Sequence, residues 1–149
     1  MENAPSKELM TMLNTALQME HQAYIQYLSH AELLEGLDSE PIEARIREIA
    51  GDEEKHQKML RNVIGKILGG TPSMAIARTH EAEATKDILE VNLAGEKEAV
   101  DFYIKIWTKV KQEKANLPYA YATVKHEIKH IIMDEEEHIA ELKQLLGTK

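Results

Sequence analysis

Two short segments of the sequence carry the residue types and the spacing of a metal-binding site. Each has the pattern Asp-Glu-x-x-His, with Glu53 and His56 in one segment and Glu135 and His138 in the other. Residues three positions apart on an α-helix project side by side from one face, so each pair offers a carboxylate oxygen and an imidazole nitrogen to one ion. A single pair of this kind is typical of a solvated helix face, whereas two pairs in one chain favour a shared site.

The two motifs belong to an internal repeat that includes two further glutamates. A shift of 82 positions superposes one Asp-Glu-x-x-His motif on the other, and a shift of 76 positions superposes Glu20 on Glu96. Each of these two glutamates is followed seven residues later by a tyrosine, Tyr27 or Tyr103. The chain therefore contains the same pair of segments twice, which indicates a duplicated helical hairpin.

Four long amphipathic helices are predicted to position these residues. Apolar residues recur at intervals of three and four along four segments, which Gly and Pro residues separate. The predicted helices span about residues 6–35, 40–68, 82–114 and 118–146. The connection around residues 69–80 is longer than is usual between adjacent antiparallel helices. We therefore expect one all-α domain over residues 1–149, a four-helix bundle made of two hairpins joined by a long crossover.

The register of the hairpins places the four glutamates at one height. Two residues at equal height in an antiparallel hairpin must be equidistant from its turn. The midpoint of Glu20 and Glu53 falls at 36.5, and the midpoint of Glu96 and Glu135 falls at 115.5. Both midpoints lie in predicted turns, so each hairpin satisfies the condition independently.

Four carboxylates in one apolar layer require compensating charge, because unpaired buried charges are very costly. Two divalent cations would neutralise them, with the histidines as neutral ligands. Oxygen and imidazole donors without thiolates favour iron or manganese, although isolated protein can carry zinc instead. The six predicted metal ligands, which are also the candidate catalytic residues, are Glu20, Glu53, His56, Glu96, Glu135 and His138.

Four more residues are candidates for supporting these ligands. Asp52 and Asp134 directly precede two ligand glutamates and are placed to accept a histidine N–H from a neighbouring helix. Exposed acids on a helix surface are an alternative interpretation of both. Tyr27 and Tyr103 are either amphipathic core residues or partners of the ligands, through hydrogen bonds or electron transfer.

A third Glu-x-x-His pair, Glu127 with His130, competes for the role of metal site. Its midpoint with Glu96 falls at 111.5, inside a predicted helix, and the second helix has no equivalent pair. The register therefore disfavours it. Five histidines are predicted to lie at the surface or at helix borders: His21, His30, His80, His126 and His130.

The composition excludes several classes of function. The chain of 149 residues has 26 acidic and 18 basic residues, a net charge of -8 and no cysteine. The acidic balance argues against a nucleic-acid partner, and no apolar run is long enough for a membrane span. The absence of cysteine excludes a thiolate nucleophile, an iron–sulfur cluster and disulfides. The polar N-terminal residues do not form a signal peptide, so we expect a cytoplasmic protein.

Together, the two Glu-x6-Tyr and two Asp-Glu-x-x-His segments resemble the ferritin-like di-iron carboxylate proteins. The stretch 20–28 is similar to the first helix of bacterioferritins. The four motifs are also similar to those of the helical domain of rubrerythrins. The resemblance covers residues 7–146 and implies a ferritin-like bundle that binds two iron ions, with Glu53 and Glu135 as bridging ligands. It also implies oxidation of Fe(II) by O2 or H2O2 in a homo-oligomer, a dimer or larger.

Three departures from the family pattern limit these expectations. Glu54 occupies the position of the bacterioferritin haem methionine, so no haem is expected. A chain without cysteine cannot form the rubredoxin-type iron site of complete rubrerythrins. Only 11 residues follow His138, whereas 24-subunit cages usually carry a fifth helix, which favours a smaller assembly.

Two alternatives to the ferroxidase interpretation stay open at this point. One is a rubrerythrin-like scavenger of peroxide or oxygen that an external electron donor re-reduces. The other is a non-enzymatic helical module that binds metal or interacts with a partner.

Overall fold

Four long α-helices make up most of the chain. The computed structural model describes residues 4–148, and within these residues it contains no β-strand. The helices are α1 (Lys7–Ala31), α2 (Ser39–Arg61), α3 (Thr85–Gln112) and α4 (Tyr121–Leu146). A π-helical segment, Asn62–Ile67, continues α2, and a short 3₁₀ turn, Lys114–Asn116, follows α3. No helix in the described part of the chain combines the length and the apolar character needed to cross a membrane. The predicted all-α architecture is confirmed.

Local chemistry explains where the helices begin and end. Ser6 accepts a backbone hydrogen bond in the first turn of α1 and so caps this helix. The helix ends at Ala31, earlier than the predicted residue 35, and Gly36 reverses the chain with a φ of +101°. α4 begins at Tyr121 rather than at residue 118, because Tyr119 has a φ of +63° and cannot belong to a right-handed helix.

The helices pair as two antiparallel hairpins, α1 with α2 and α3 with α4. Across the bundle, α1 also packs against α3 and α2 against α4. Residues 68–84 join the hairpins and run along α1. Ser73 N donates to Asn14 Oδ1 at 2.8 Å near the start of this path, and His80 N donates to Gln26 Oε1 at 2.7 Å near its end. The segment returns the chain to the opposite end of the bundle, which confirms the predicted long crossover.

Two apolar clusters fill the interior on either side of a polar layer at mid-height. One cluster contains Leu13, Leu60 and Ile128, and the other contains Ile46 and Leu142. All five side chains are completely buried. The four glutamates of the layer therefore lie between packed aliphatic groups that shield them from bulk water, where each charge needs a compensating partner.

Candidate metal centre

The six predicted ligand side chains meet at mid-height in the bundle. Each is contributed by the middle of a helix: one from α1, one from α3 and a pair from each of α2 and α4. All are buried, with exposed fractions of 0–3 %. They are Glu20, Glu53, His56, Glu96, Glu135 and His138.

These side chains form two overlapping groups of four. Within each group, one potential ligand atom per residue lies within 4.8 Å of the others. One group contains Glu20 and His56, the other contains Glu96 and His138, and both contain Glu53 and Glu135. Two shared carboxylates between two separate carboxylate–histidine pairs suit two neighbouring cations. The structure brings all six residues together, and their role as ligands stays a prediction.

Four atoms of this centre have no hydrogen-bond partner among the described residues: Glu20 Oε1, Glu53 Oε1, His56 Nδ1 and Glu135 Oε1. His56 Nδ1 lies 2.9 Å from Glu135 Oε1, but without the geometry of a hydrogen bond. A buried polar atom without a partner costs about 1–3 kcal/mol. Divalent cations placed between the shared carboxylates would satisfy these atoms together, so the donor set fits metal ions.

The outward nitrogens of both histidines contact aspartates on the facing helix. His56 Nε2 lies 2.8 Å from Asp134 Oδ2, and His138 Nε2 lies 2.9 Å from Asp52 Oδ2. Each contact joins α2 to α4. In a neutral imidazole, a proton held at Nε2 leaves the lone pair of Nδ1 directed into the centre, which is the tautomer that a metal ligand requires.

Two tyrosines donate to the carboxylates across the α1–α3 interface. Tyr27 donates its hydroxyl hydrogen to Glu96 Oε1 at 2.8 Å, and Tyr103 donates to Glu20 Oε2 at 2.6 Å. Burial and the nearby carboxylates raise the pKa of both phenols well above the usual value of 10. Both therefore stay protonated at neutral pH and act as fixed hydrogen-bond donors.

The polypeptide by itself gives the centre strongly perturbed pKa values. Burial and repulsion from Glu135 raise the pKa of Glu53, and burial and repulsion from Glu96 raise that of Glu135. Burial favours neutral histidines, but close carboxylates outweigh it and raise the pKa of His56 to about 11 and that of His138 to about 10. The imidazolium charges thus offset the carboxylates when cations do not.

A second buried polar cluster lies one helical turn from the centre, and the sequence pattern does not predict it. Asn92 Nδ2 donates to His30 Nδ1 at 2.9 Å and Asn92 Oδ1 accepts from Gln26 Nε2 at 2.8 Å. His30 Nε2 donates to the carbonyl of His80 at 3.0 Å. His30 is buried, not at the surface as predicted. The crossover is attached to α1 through His30 and Gln26, and Asn92 joins these two residues to α3. The spacing could have indicated the buried position of Asn92, because this residue precedes Glu96 by one helical turn and so lies on the same face of α3.

The competing pair Glu127 and His130 lies outside the centre. His130 is exposed, and its Nε2 contacts Asp134 Oδ2 at 3.4 Å. The pair does not join either group of potential ligands. Of the remaining histidines, the exposed or half-buried ones are His21, His80 and His126.

A glutamate from each of two helices and a Glu-x-x-His pair from each of the other two define a class of protein, the four-helix bundles with a dinuclear carboxylate centre. The model of the ferritin-like domain family matches residues 10–149 of the chain. The chain belongs to the ferritin-like family. No curated protein matches it in sequence.

Several solved structures share the fold over nearly the whole chain. A ferritin-like diiron-carboxylate protein from Bacillus anthracis str. Ames is 31% identical, with a TM-score of 0.83 over 94% of this chain and 96% of that chain. A dodecameric thioferritin related to bacterioferritin, from Bacteroides fragilis, is 24% identical, with a TM-score of 0.82 over 97% and 88%. A Rhodobacter capsulatus bacterioferritin with a metal-free dinuclear site and haem iron is 23% identical, with a TM-score of 0.81 over 97% and 86%. The last two likenesses concern the fold alone.

Proposed function

We propose that the protein binds two iron ions at the six-residue centre and oxidises Fe(II) with O2 or H2O2. The observation that carries this proposal is the set of four buried, unpartnered ligand atoms around two shared carboxylates. The 31% identity to a diiron-carboxylate protein supports the choice of metal. Manganese or zinc would fit the same donors in isolated protein.

Each ion would be held by one carboxylate and one imidazole of its own and by two carboxylates common to both ions. We assign Glu20 and His56 to one ion and Glu96 and His138 to the other, and Glu53 and Glu135 would serve both, because both groups of potential ligands contain them. Four carboxylates balance the charge of two divalent ions, which removes the cost of burying them unpaired.

The residues around the centre orient the ligands and keep water out. When bound, each Fe(II) supplies one electron, so that with two protons the pair reduces H2O2 to water or O2 to H2O2. Tyr103 and Tyr27 hold the two unshared carboxylates by hydrogen bonds, and Asp134 and Asp52 hold the two imidazoles. The protons at His56 Nδ1 and His138 Nδ1 must leave before these nitrogens bind metal.

Stopped-flow absorbance tests the oxidation directly. Protein loaded anaerobically with Fe(II) is mixed with O2 or with H2O2, and we expect oxidation faster than that of free Fe(II) in the same buffer. Glu53→Ala removes a shared ligand and should abolish this acceleration. Glu54→Ala, an exposed neighbour on the same helix, is the matched control and should retain it. Equal rates for the protein, Glu53→Ala and free iron would show a non-enzymatic binding module instead.

The fate of the ferric iron distinguishes storage from scavenging. We propose a homo-oligomer that binds no haem. Glu54 stands where haem-binding relatives have methionine, which supports the absence of haem. Native mass spectrometry with iron counting after aerobic loading measures both the subunit number and the iron content. Iron far in excess of two per chain supports storage. Two ions per chain that an added reductant returns to Fe(II) support a peroxide or oxygen scavenger.

A further inference from the structure

A narrow gap between α1 and α3 connects the surface with the carboxylates of the centre. The centre of a water-sized sphere can occupy a volume of about 30 Å³ in this gap. Its lining includes Gly95, which is exposed, and the buried residues Glu20, Glu53 and Glu135. Each of these three glutamates has its unpartnered Oε1. The gap therefore leads to the atoms that the metal ions would engage.

Small residues line the gap on both helices: Ala23 on α1, and Gly95 and Ala99 on α3. Gly95 directly precedes Glu96 in the middle of α3, where glycine destabilises a helix by about 1 kcal/mol relative to alanine. A Cβ at this position would meet no atom within 4 Å. Packing therefore does not require a glycine here, and the free space beside it is what the residue provides.

The size of the gap limits what it can admit. A water molecule needs roughly 10–15 Å³ by this measure, so the gap holds about two waters. O2 and H2O2 are of this size, whereas a hydrated Fe(II) ion is much larger. Apart from glutamates of the centre, the described residues that line the gap carry no charge, and its polar side chains include the amides of Gln22 and Asn92. This lining suits a small neutral molecule.

We propose that the gap admits the oxidant, a small neutral molecule such as O2 or H2O2, and that Gly95 sets its width. The inference rests on the proposed function, because it assigns the access route of the second substrate of that reaction. On this proposal, hydrated metal ions do not pass through the gap.

Filling the gap tests the proposal. Gly95→Leu places a branched side chain at the gap, and Gly95→Ala is a milder version. Gly51→Leu is the matched control, because Gly51 also lies in mid-helix, a Cβ there also meets no atom within 4 Å, and it does not line the gap. We expect Gly95→Leu to slow oxidation of the Fe(II)-loaded protein by H2O2 roughly tenfold, Gly95→Ala to slow it less, and Gly51→Leu to leave it unchanged.

Two further readouts do not depend on oxidation. Anaerobic binding of nitric oxide, a neutral diatomic molecule, to the Fe(II)-loaded protein should slow in the same order of variants. Uptake of Co(II) by the metal-free protein, followed by visible absorbance, should keep its rate and stoichiometry in Gly95→Leu and Gly51→Leu alike. Thermal unfolding should show that neither leucine variant is less stable than the parent protein.

The outcomes separate this proposal from the proposed function. If nitric oxide binding is unchanged in Gly95→Leu, the gap is not the route of the oxidant and the proposal is overturned. If Co(II) uptake slows as much as nitric oxide binding, metal ions use the gap as well, and the proposal is also overturned. If Gly95→Leu lowers the Co(II) stoichiometry, Gly95→Ala decides, since it must slow nitric oxide binding with the stoichiometry intact. Failure of the parent protein to oxidise Fe(II) would refute the proposed function, while nitric oxide binding would still report on the gap.

Discussion

The hydroxyl of Tyr103 donates a 2.6 Å hydrogen bond to Glu20 Oε2 and thereby joins the two hairpins at the height of the candidate metal centre. The internal sequence repeat gives the equivalent contact in the opposite direction, in which Tyr27 of α1 donates to Glu96 Oε1 of α3 at 2.8 Å. Each unshared carboxylate is therefore oriented by a residue of the other hairpin. The orientation of both unshared carboxylates thus depends on the docking of the two hairpins.

Tyr103→Phe is predicted to weaken metal binding more than it weakens the fold. The variant keeps the buried ring but removes the donor to Glu20, and groups that orient ligands contribute roughly 10- to 100-fold in metal affinity. The loss of one buried hydrogen bond should cost about 1 kcal/mol of unfolding free energy. Competitive Co(II) titration and urea denaturation measure the two effects. Tyr24→Phe, at a half-buried tyrosine of α1 whose hydroxyl does not bond to any of the six ligand side chains, is the control. An equal loss of affinity there would contradict the prediction.

Asp134→Ala is predicted to reduce affinity mainly at the ion that His56 binds. Without Asp134 Oδ2 at 2.8 Å, nothing holds the proton at His56 Nε2, so the ring loses its orientation and tautomer. We expect a Co(II) titration to separate into one tight and one weakened step. Glu136→Ala, an exposed acid on the same helix, should leave both steps unchanged. A single step with parental affinity in Asp134→Ala would show that the aspartate is only a surface acid.

Metal binding is predicted to release protons. His56 and His138 have pKa values raised to about 11 and about 10, so both rings are protonated at pH 7 and must each lose a proton to bind metal. Any protons on Glu53 and Glu135, whose pKa values are also raised, are lost as well. Apparent affinity should therefore rise with pH and fall on acidification. Calorimetric titration in buffers of different ionisation enthalpy should report at least two protons released per chain, and a buffer-independent heat would disprove it.

Without metal ions, the protein is predicted to lose stability at alkaline pH. The folded-state pKa values of His56 and His138 lie above the unfolded value of 6.5, so the stabilisation is complete below pH 6.5 and is lost as the pH rises through about 10 to 11. Loss of the imidazolium charges leaves the carboxylates of the centre without compensation. Urea denaturation between pH 8 and pH 11 measures this loss, with the Zn(II)-loaded protein as the control. Parallel curves for the two forms would contradict the prediction.

Asn92→Ala is predicted to destabilise the fold by about 2–4 kcal/mol, because it leaves the buried groups of His30 and Gln26 without their partner. Asn14→Ala is the matched control, since Asn14 is also an asparagine with two hydrogen bonds to another segment, the crossover, but is only half-buried. Urea denaturation of both variants provides the comparison. A loss in Asn92→Ala no larger than in Asn14→Ala would show that the buried cluster contributes little.

The fold was predictable from periodicity because helix geometry is regular. A constant rise per residue converts the spacing of Glu20 and Glu53 about a turn into equal height, and the same holds for Glu96 and Glu135. Helix ends were less predictable. The positive φ of Tyr119 depends on how the α3–α4 turn packs, and no propensity of the residue indicates it.

The sequence by itself determined that four glutamates and two histidines share one layer of a four-helix bundle, because a helix repeat and a turn specify height and face. The tertiary structure decided which groups meet within and beside that layer. It decided that Asp134 contacts His56 and is not merely an acid of the helix surface, it buried His30 under the crossover, and it left the gap beside Gly95. These contacts depend on the docking of separate helices, and the periodicity of one helix carries no information about the side chains of its neighbour.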